Sequence, residues 1–234
     1  MKLFFIPYAG GMANSYTVLK RYIDTEFEII LVELAGRGRR TNEAFYEDMN
    51  EAVNDVAKQI KDNAYNEPCA IFGHSMGGLI IYELLGRFEE LKINYPKHIF
   101  ISARRAAHLK SSNGKKYYKL PDEEFSLELL KLGDINREVI GNIELFNIFS
   151  PIIRADYKII EEYVFKEPKN MFKCNMTLLY ASEDIEASKE EVLQWREYSE
   201  NEVECFEFNG GHFYIFDNLK EVANIINNTL NQYI

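Results

Sequence analysis

Short apolar runs alternate along this chain with longer stretches in which apolar residues recur every three or four positions. The short runs are residues 2–6, 27–34, 69–72, 98–102, 176–181 and 203–208, rich in Ile, Phe, Val and Leu and bounded by polar residues, Gly or Pro. Continuous apolar runs of this length predict strands buried on both faces. Between them, residues 42–63 carry Phe45, Met49, Val53, Val56 and Ile60 at helical spacing. Helices are also expected over 76–91, 189–198 and 218–233. The alternation predicts βαβ units and a mostly parallel sheet with helices on both faces. One block breaks the rhythm: from Arg104 to Tyr163 there is no convincing strand, only helical patterns at 122–132, 137–140, 144–149 and 151–163. An all-helical insertion of about residues 104–163 is expected to form a lid over the active face.

A chain of 234 residues without a Pro/Gly/Ser-rich linker reads as one domain, 1–234. The net charge of -10 gives no electrostatic support for binding nucleic acid or anionic membranes. No apolar stretch approaches the ~20 residues of a membrane span. The N-terminal MKLFFIPYAGG is too short for a signal sequence and reads as a buried strand. Cys69, Cys174 and Cys205 make an odd number, which argues against a disulfide framework, and no His/Cys spacing suggests a metal. The expectation is a cytoplasmic monomer without metal or cofactor.

The chemistry centres on Gly73-His74-Ser75-Met76-Gly77, a G-x-S-x-G motif directly after a predicted strand and opening a predicted helix. That context is the nucleophile elbow of the α/β-hydrolase fold. The serine sits on a tight strand-to-helix turn, so its neighbours must be small, and the turn sets the hydroxyl at a helix N-terminus, where the dipole favours negative charge. A serine hydroxyl needs a base. Of His74, His98, His108 and His212, only His212 follows the last predicted strand, in Asn209-Gly210-Gly211-His212-Phe213. The acid lies between them in chain order. Asp184 suits the role best, with Glu183 and Glu186 as competitors, all in the loop after the fifth strand. Asp156 reads instead as a structural partner of Arg154 or of a nearby helix. The oxyanion donors are expected to be the Met76 N–H and, from the Pro7-Tyr8-Ala9-Gly10-Gly11 loop, the Ala9 N–H, with Tyr8 as the nearest competitor.

With these parts in view the chain resembles the type II thioesterases that accompany non-ribosomal peptide and polyketide synthetases. The likeness runs almost end to end: FIPYAGG at 5–11, LAGRGRR at 34–40, GHSMGG at 73–78, SARRAAH at 102–108, LPDEEF and LLKLGD within 120–134, PIIRADYKIIEEY at 151–163, Trp195, and GGHFYIF at 210–216. The segments inside the insertion are the most specific, because lids vary most between families. The resemblance implies hydrolysis of acyl thioesters from the phosphopantetheine arm of acyl- or peptidyl-carrier protein domains, clearing misloaded groups. It supports Ser75, Asp184 and His212 as the triad, with Met76 and Ala9 as oxyanion donors. Two departures concern architecture: family members usually carry a further segment before the first strand, so an edge strand is expected to be missing, and Ala103 stands where Gly is common.

Two alternatives share the fold: a small-molecule carboxylesterase or lipase with the same triad, and a non-catalytic binding protein. For the partner, basic clusters at Arg37, Arg39 and Arg40 and at Arg104 and Arg105 follow carboxyl ends of strands, and the insertion adds Lys115, Lys116 and Lys119. Arginine's planar fork suits a phosphate. The apolar insertion residues Leu127, Leu130, Phe146, Phe149, Ile152 and Ile153 are expected in part to face the acyl chain or the pantetheine arm.

Overall fold

The computed structural model describes residues 1–64, 67–110, 114–133, 139 and 142–234. Six strands form one parallel sheet: β1 (Lys2–Ile6), β2 (Glu28–Leu31), β3 (Cys69–His74), β4 (His98–Ser102), β5 (Asn175–Ala181) and β6 (Val203–Phe208), in the order β2-β1-β3-β4-β5-β6. Along β1, Phe4 and Ile6 enter one core while Leu3 and Phe5 enter the other. Side chains alternate across a strand, so a continuously apolar run supplies both faces. Helices α1 (Met49–Asn63) and α2 (Met76–Gly86) fill the first core through Val53, Val56, Leu79 and Ile80. Further helices follow: α3 (Phe88–Leu91), α4 (Asp122–Leu132), α5 (Ile143–Glu161), α6 (Lys189–Leu193), α7 (Tyr214–Asp217) and α8 (Leu219–Leu230). Of these, α8 fills the second core with Val222, Ile226 and Leu230.

Three boundaries differ from the sequence expectation. The second strand stops at Leu31, three residues before the apolar run does, because the Val32 N–H makes the last bond to β1, at Phe5 O (3.0 Å). Helix α1 starts at Met49 and not at residue 42, because the Asp48 side chain accepts the Glu51 N–H (3.0 Å) and fixes the N-cap there. The expected break at Pro151 does not occur: α5 runs through it. A proline inside a helix costs about 3 kcal/mol. Burial of Phe146 before Pro151 and of Ile153, Tyr157 and Ile159 after it offsets that cost.

The insertion between β4 and β5 has a core of its own. Tyr117, Phe125, Leu129, Leu132, Phe146, Ile153 and Tyr157 form it, and Ala9 of the loop after β1 packs against it. The C-terminal part of α5 joins the main core through Ile159. The expected helix at 137–140 lies outside the described residues apart from Val139. No helix among the described residues is long and apolar enough to cross a membrane.

Candidate active site

Strand β3 ends in the turn that carries Ser75, whose backbone adopts φ 52° and ψ -113°. A non-glycine residue held there stores on the order of 1–3 kcal/mol of strain. The surroundings hold it: the Ser75 N–H donates to Ser102 O on β4 (2.8 Å), and Ser75 O accepts the Gly78 N–H (3.0 Å). The two motif glycines are required by close backbone approach. A Cβ on Gly73 would stand 2.5 Å from the Gly77 carbonyl, and one on Gly77 would stand 2.4 Å from Ile6 O. The elbow can therefore form only with bare backbone at both positions.

His212 follows β6 and is 7% exposed, and Asp184 follows β5 and is 6% exposed. The His212 Nδ1 lies 2.9 and 3.0 Å from the two Asp184 oxygens. Asp184 Oδ1 also accepts the N–H groups of Glu186 (2.8 Å) and Ala187 (3.1 Å), which orients the carboxylate. With Nδ1 given to Asp184, Nε2 is the ring nitrogen left to take a proton. Of the competing acids, Glu183 is exposed, and Glu186 contributes its backbone N–H to hold Asp184. The other histidines are elsewhere engaged: His98 with Thr177 and Tyr233, His108 with Tyr198 and Gln194.

His74 is fully buried, and its ring lies 5.4 Å from that of His212. Burial, reinforced by His212, pushes its pKa well below the ordinary imidazole value, so it is neutral. Its Nδ1 bonds Ser102 Oγ (2.8 Å), which bonds Tyr214 Oη (2.7 Å). The pairing of His74 with Ser102 across β3 and β4 makes this chain possible, and strand register is invisible to sequence spacing.

Near the elbow, Met76 is the first residue of α2, whose N–H has no partner within the helix. In the loop after β1, the Gly11 N–H donates to Tyr8 O (2.9 Å) and the Gly10 N–H to Asp156 Oδ2 (2.7 Å). Those engagements commit the Gly10 and Gly11 N–H groups within the protein, so neither is available as a second donor.

The basic clusters behave differently from expectation. Arg37 is 1% exposed and makes a bidentate pair with Asp156 of α5, at 2.5 and 2.6 Å. Burial opposes its charge, but Asp156 outweighs that and holds the guanidinium above its ordinary pKa. Arg37 is thus a buried cation and cannot meet a partner at the surface. Asp156 is correspondingly not the partner of Arg154, which bonds Asp122 (2.7 Å). Arg105 is also buried, donating to Glu186 O and Lys110 O. Arg40 is tied to Glu43 and Asp55. Arg104 is half-buried with its stem against Gly78, and burial pulls its pKa down to about 10. Arg39, Lys116 and Lys119 remain exposed. Phe146 belongs to the insertion's own core, and Phe149 is half-buried beside it. Leu127 is 52% exposed, because it sits on the outer face of α4.

A parallel sheet with a strained serine elbow after its third strand, an aspartate after its fifth and a histidine after its sixth defines an α/β-hydrolase. Residues 1–230 match the thioesterase domain family, and the chain belongs to it. It is 31% identical over 222 residues to the gramicidin S biosynthesis protein GrsT of Aneurinibacillus migulanus, covering 95% of this chain and 86% of that protein. Its fold superposes on the crystal structure of ClbQ from the colibactin NRPS/PKS pathway with a TM-score of 0.93, at 29% identity, over 99% of this chain and 97% of that one. On RedJ, a thioesterase from the prodiginine biosynthetic pathway in Streptomyces coelicolor, the TM-score is 0.87 at 26% identity, over 96% and 89% of the two chains.

Proposed function

We propose that this chain is a serine thioesterase of the type II kind, a single α/β-hydrolase domain over residues 1–234 with a lid at about 104–163. It hydrolyses acyl thioesters from the phosphopantetheine arm of carrier-protein domains and so regenerates misloaded synthetases. The observation that carries this reading is the buried Asp184–His212 pair, with Nδ1 held at 2.9 Å, beside the strained Ser75 elbow in a thioesterase-family chain.

In this mechanism Ser75 Oγ attacks the thioester carbonyl as His212 Nε2 takes its proton, and Asp184 stabilises the imidazolium. The N–H groups of Met76 and Ala9 receive the developing oxyanion. Collapse breaks the C–S bond, and His212 returns the proton to the pantetheine thiol. Water, deprotonated by His212, then attacks the acyl-Ser75 ester and releases the acid. Half-buried Phe149 and Leu130 of the lid border the acyl path. Arg104 and the exposed Arg39, Lys116 and Lys119 supply local positive charge toward an acidic carrier domain, against a chain that is acidic as a whole.

The test compares hydrolysis of an acyl-carrier-protein thioester with that of a p-nitrophenyl ester of equal chain length, and labels Ser75 with a fluorophosphonate. Faster turnover of the carrier-bound thioester with labelling at Ser75 is expected. Preference for the ester would favour a carboxylesterase, and absence of labelling a non-catalytic binder.

A further inference from the structure

Beyond Tyr8, whose ring packs against Tyr16, His74, Phe213 and Phe216, the loop that offers the Ala9 N–H has only an alanine and two glycines of its own. Its geometry is nonetheless specified from outside. The Gly11 N–H to Tyr8 O bond closes a four-residue turn, and Gly10, at φ 76°, occupies the third position, as a type II turn requires. In a planar trans peptide the N–H points opposite to the C=O. Fixing Tyr8 O on Gly11 therefore aims the Ala9 N–H the other way, away from the turn. The turn as a whole can still shift, and its Gly10 N–H is held by Asp156 Oδ2 at 2.7 Å.

Asp156 belongs to the insertion, 146 residues further along the chain. It is itself held by Arg37 through both oxygens, and Arg37 Nη1 also donates to Gly11 O (3.2 Å), while its Nε reaches Ala35 O (3.4 Å). One guanidinium and one carboxylate thus grip both ends of the Gly10–Gly11 segment. A second contact comes from the same face of α5, one turn earlier. Ile153 stands against Gly10, where a Cβ would come within 2.6 Å of Ile153 Cγ1, and Ala9 packs on the core that holds Ile153 and Tyr157. Spacings of three and four place residues 153, 156 and 157 on one side of a helix.

The pair's side chains are 1% and 2% exposed. Desolvating two charges costs about what their attraction returns, and a well-packed apolar pair is often as stable. Net stability is therefore a poor account of this pair, whereas directional bonds to a loop are something no apolar pair can supply.

We propose that Arg37 and Asp156 are positioning residues that couple the insertion helix α5 to the oxyanion loop, so that the Ala9 N–H is aimed at the reacting carbonyl only while α5 is seated. This rests on the assignment of Ala9 as oxyanion donor in the proposed thioesterase reaction. A displacement of α5 frees the turn as a body from its hold on Gly10 and Gly11, so that the Ala9 N–H no longer keeps a fixed place beside the elbow, which makes hydrolysis conditional on the state of the insertion.

The test is the Arg37→Met/Asp156→Leu double variant, which removes both charges together and avoids leaving one buried alone. It is assayed with an acyl N-acetylcysteamine thioester, with an alkylboronic acid as tetrahedral mimic, and by thermal unfolding. Losing one oxyanion donor costs about 10²–10³-fold in kcat. A loss of that size, with KM within about threefold and boronic acid affinity falling in step with kcat/KM, is the expected result. Asp156→Asn, which keeps an oxygen for the Gly10 N–H but weakens the hold of Arg37, is expected to lose less. Wild-type kcat and boronic acid affinity in the folded double variant would overturn the proposal. So would a lowered Tm in either variant with kcat per folded molecule unchanged. Parallel assays of the wild type and Ser75→Ala keep the two readings apart. If the wild type neither hydrolyses the thioester nor binds the boronic acid, the catalytic assignment itself falls; if it does both and the double variant is unaffected, only the coupling falls.

Discussion

Replacing Asp184 by Asn changes one atom, and the structure dictates which way the amide must face. Asp184 Oδ1 accepts two backbone N–H groups, from Glu186 at 2.8 Å and Ala187 at 3.1 Å. The amide oxygen of Asn must take that place, since an NH2 there would confront two donors. The NH2 is then left at the Oδ2 position, 2.9 Å from His212 Nδ1. It donates, so Nδ1 becomes an acceptor and the ring proton moves to Nε2. His212 in that tautomer cannot take the Ser75 proton. Inverting the tautomer in a serine triad costs about 10⁴-fold in kcat. A loss of 10³–10⁴-fold corresponds to about 4–5.5 kcal/mol of transition-state stabilisation. The fold should barely respond, because the Glu186 and Ala187 N–H groups keep their acceptor. Asp184→Ala orphans both N–H groups, at about 1–3 kcal/mol each, yet leaves the His212 tautomer unconstrained. The assay is thiol release from an acyl thioester, followed with a thiol-reactive chromophore, alongside thermal unfolding of both variants. Expected is an Asn variant that is stable and inactive beside an Ala variant that is less stable. An Asn variant within about tenfold of the wild-type kcat would refute the reasoning, as would a large loss in Glu183→Gln in its place.

Four further outcomes follow from the geometry. Ser75→Ala and His212→Ala should each lower thioester hydrolysis by at least ~10³-fold, and the double variant should be no worse than the single ones, as steady-state kinetics would show. Gly77→Ala puts a Cβ 2.4 Å from Ile6 O on a central strand and should lower Tm sharply, whereas Gly86→Ala meets nothing within 4 Å and should be tolerated. Burial raises the Glu161 carboxyl from 4.5 to about 7, with Lys116 and Glu162 beside it. A folded pKa above the unfolded one gives stability that is complete below the unfolded pKa and is lost as pH rises through the folded one, so Tm of the wild type should fall relative to Glu161→Gln between about pH 5 and pH 8. Charge reversal at Arg39, Lys116 and Lys119 should raise KM for a carrier-bound thioester and leave an N-acetylcysteamine thioester unchanged; equal KM for both substrates in all three variants would remove these residues from docking.

The sequence by itself determined what repeats locally. Apolar runs of strand length and helical spacings specified the six strands and their parallel character, because burial on both faces leaves a one-dimensional trace. The elbow was legible because its glycines flank Ser75 in a fixed local pattern: Gly73 packs on Gly77 within the turn itself, although Gly77 in turn is kept bare by Ile6 O of the distant strand β1. His212 and Asp184 could be named from their order after the last strands, since the fold brings carboxyl ends of neighbouring strands to one edge. Tertiary structure decided what depends on distant segments meeting. Arg37 stands in an arginine-rich stretch that reads as a surface cluster, and only the placement of α5 shows it buried on Asp156, 119 residues away. The pairing of β3 with β4 joins His74 to Ser102 and so to Tyr214, a chain that no spacing announces. Helix α5 passes through Pro151 because its apolar face is buried on both sides of the proline, and local propensity alone would have ended it there. Charge and propensity are properties of a residue, but partnership and burial belong to the assembled chain, which is why the Ser75 elbow and the Asp184–His212 pair were readable and the Arg37–Asp156 bridge to Gly10 and Gly11 was not.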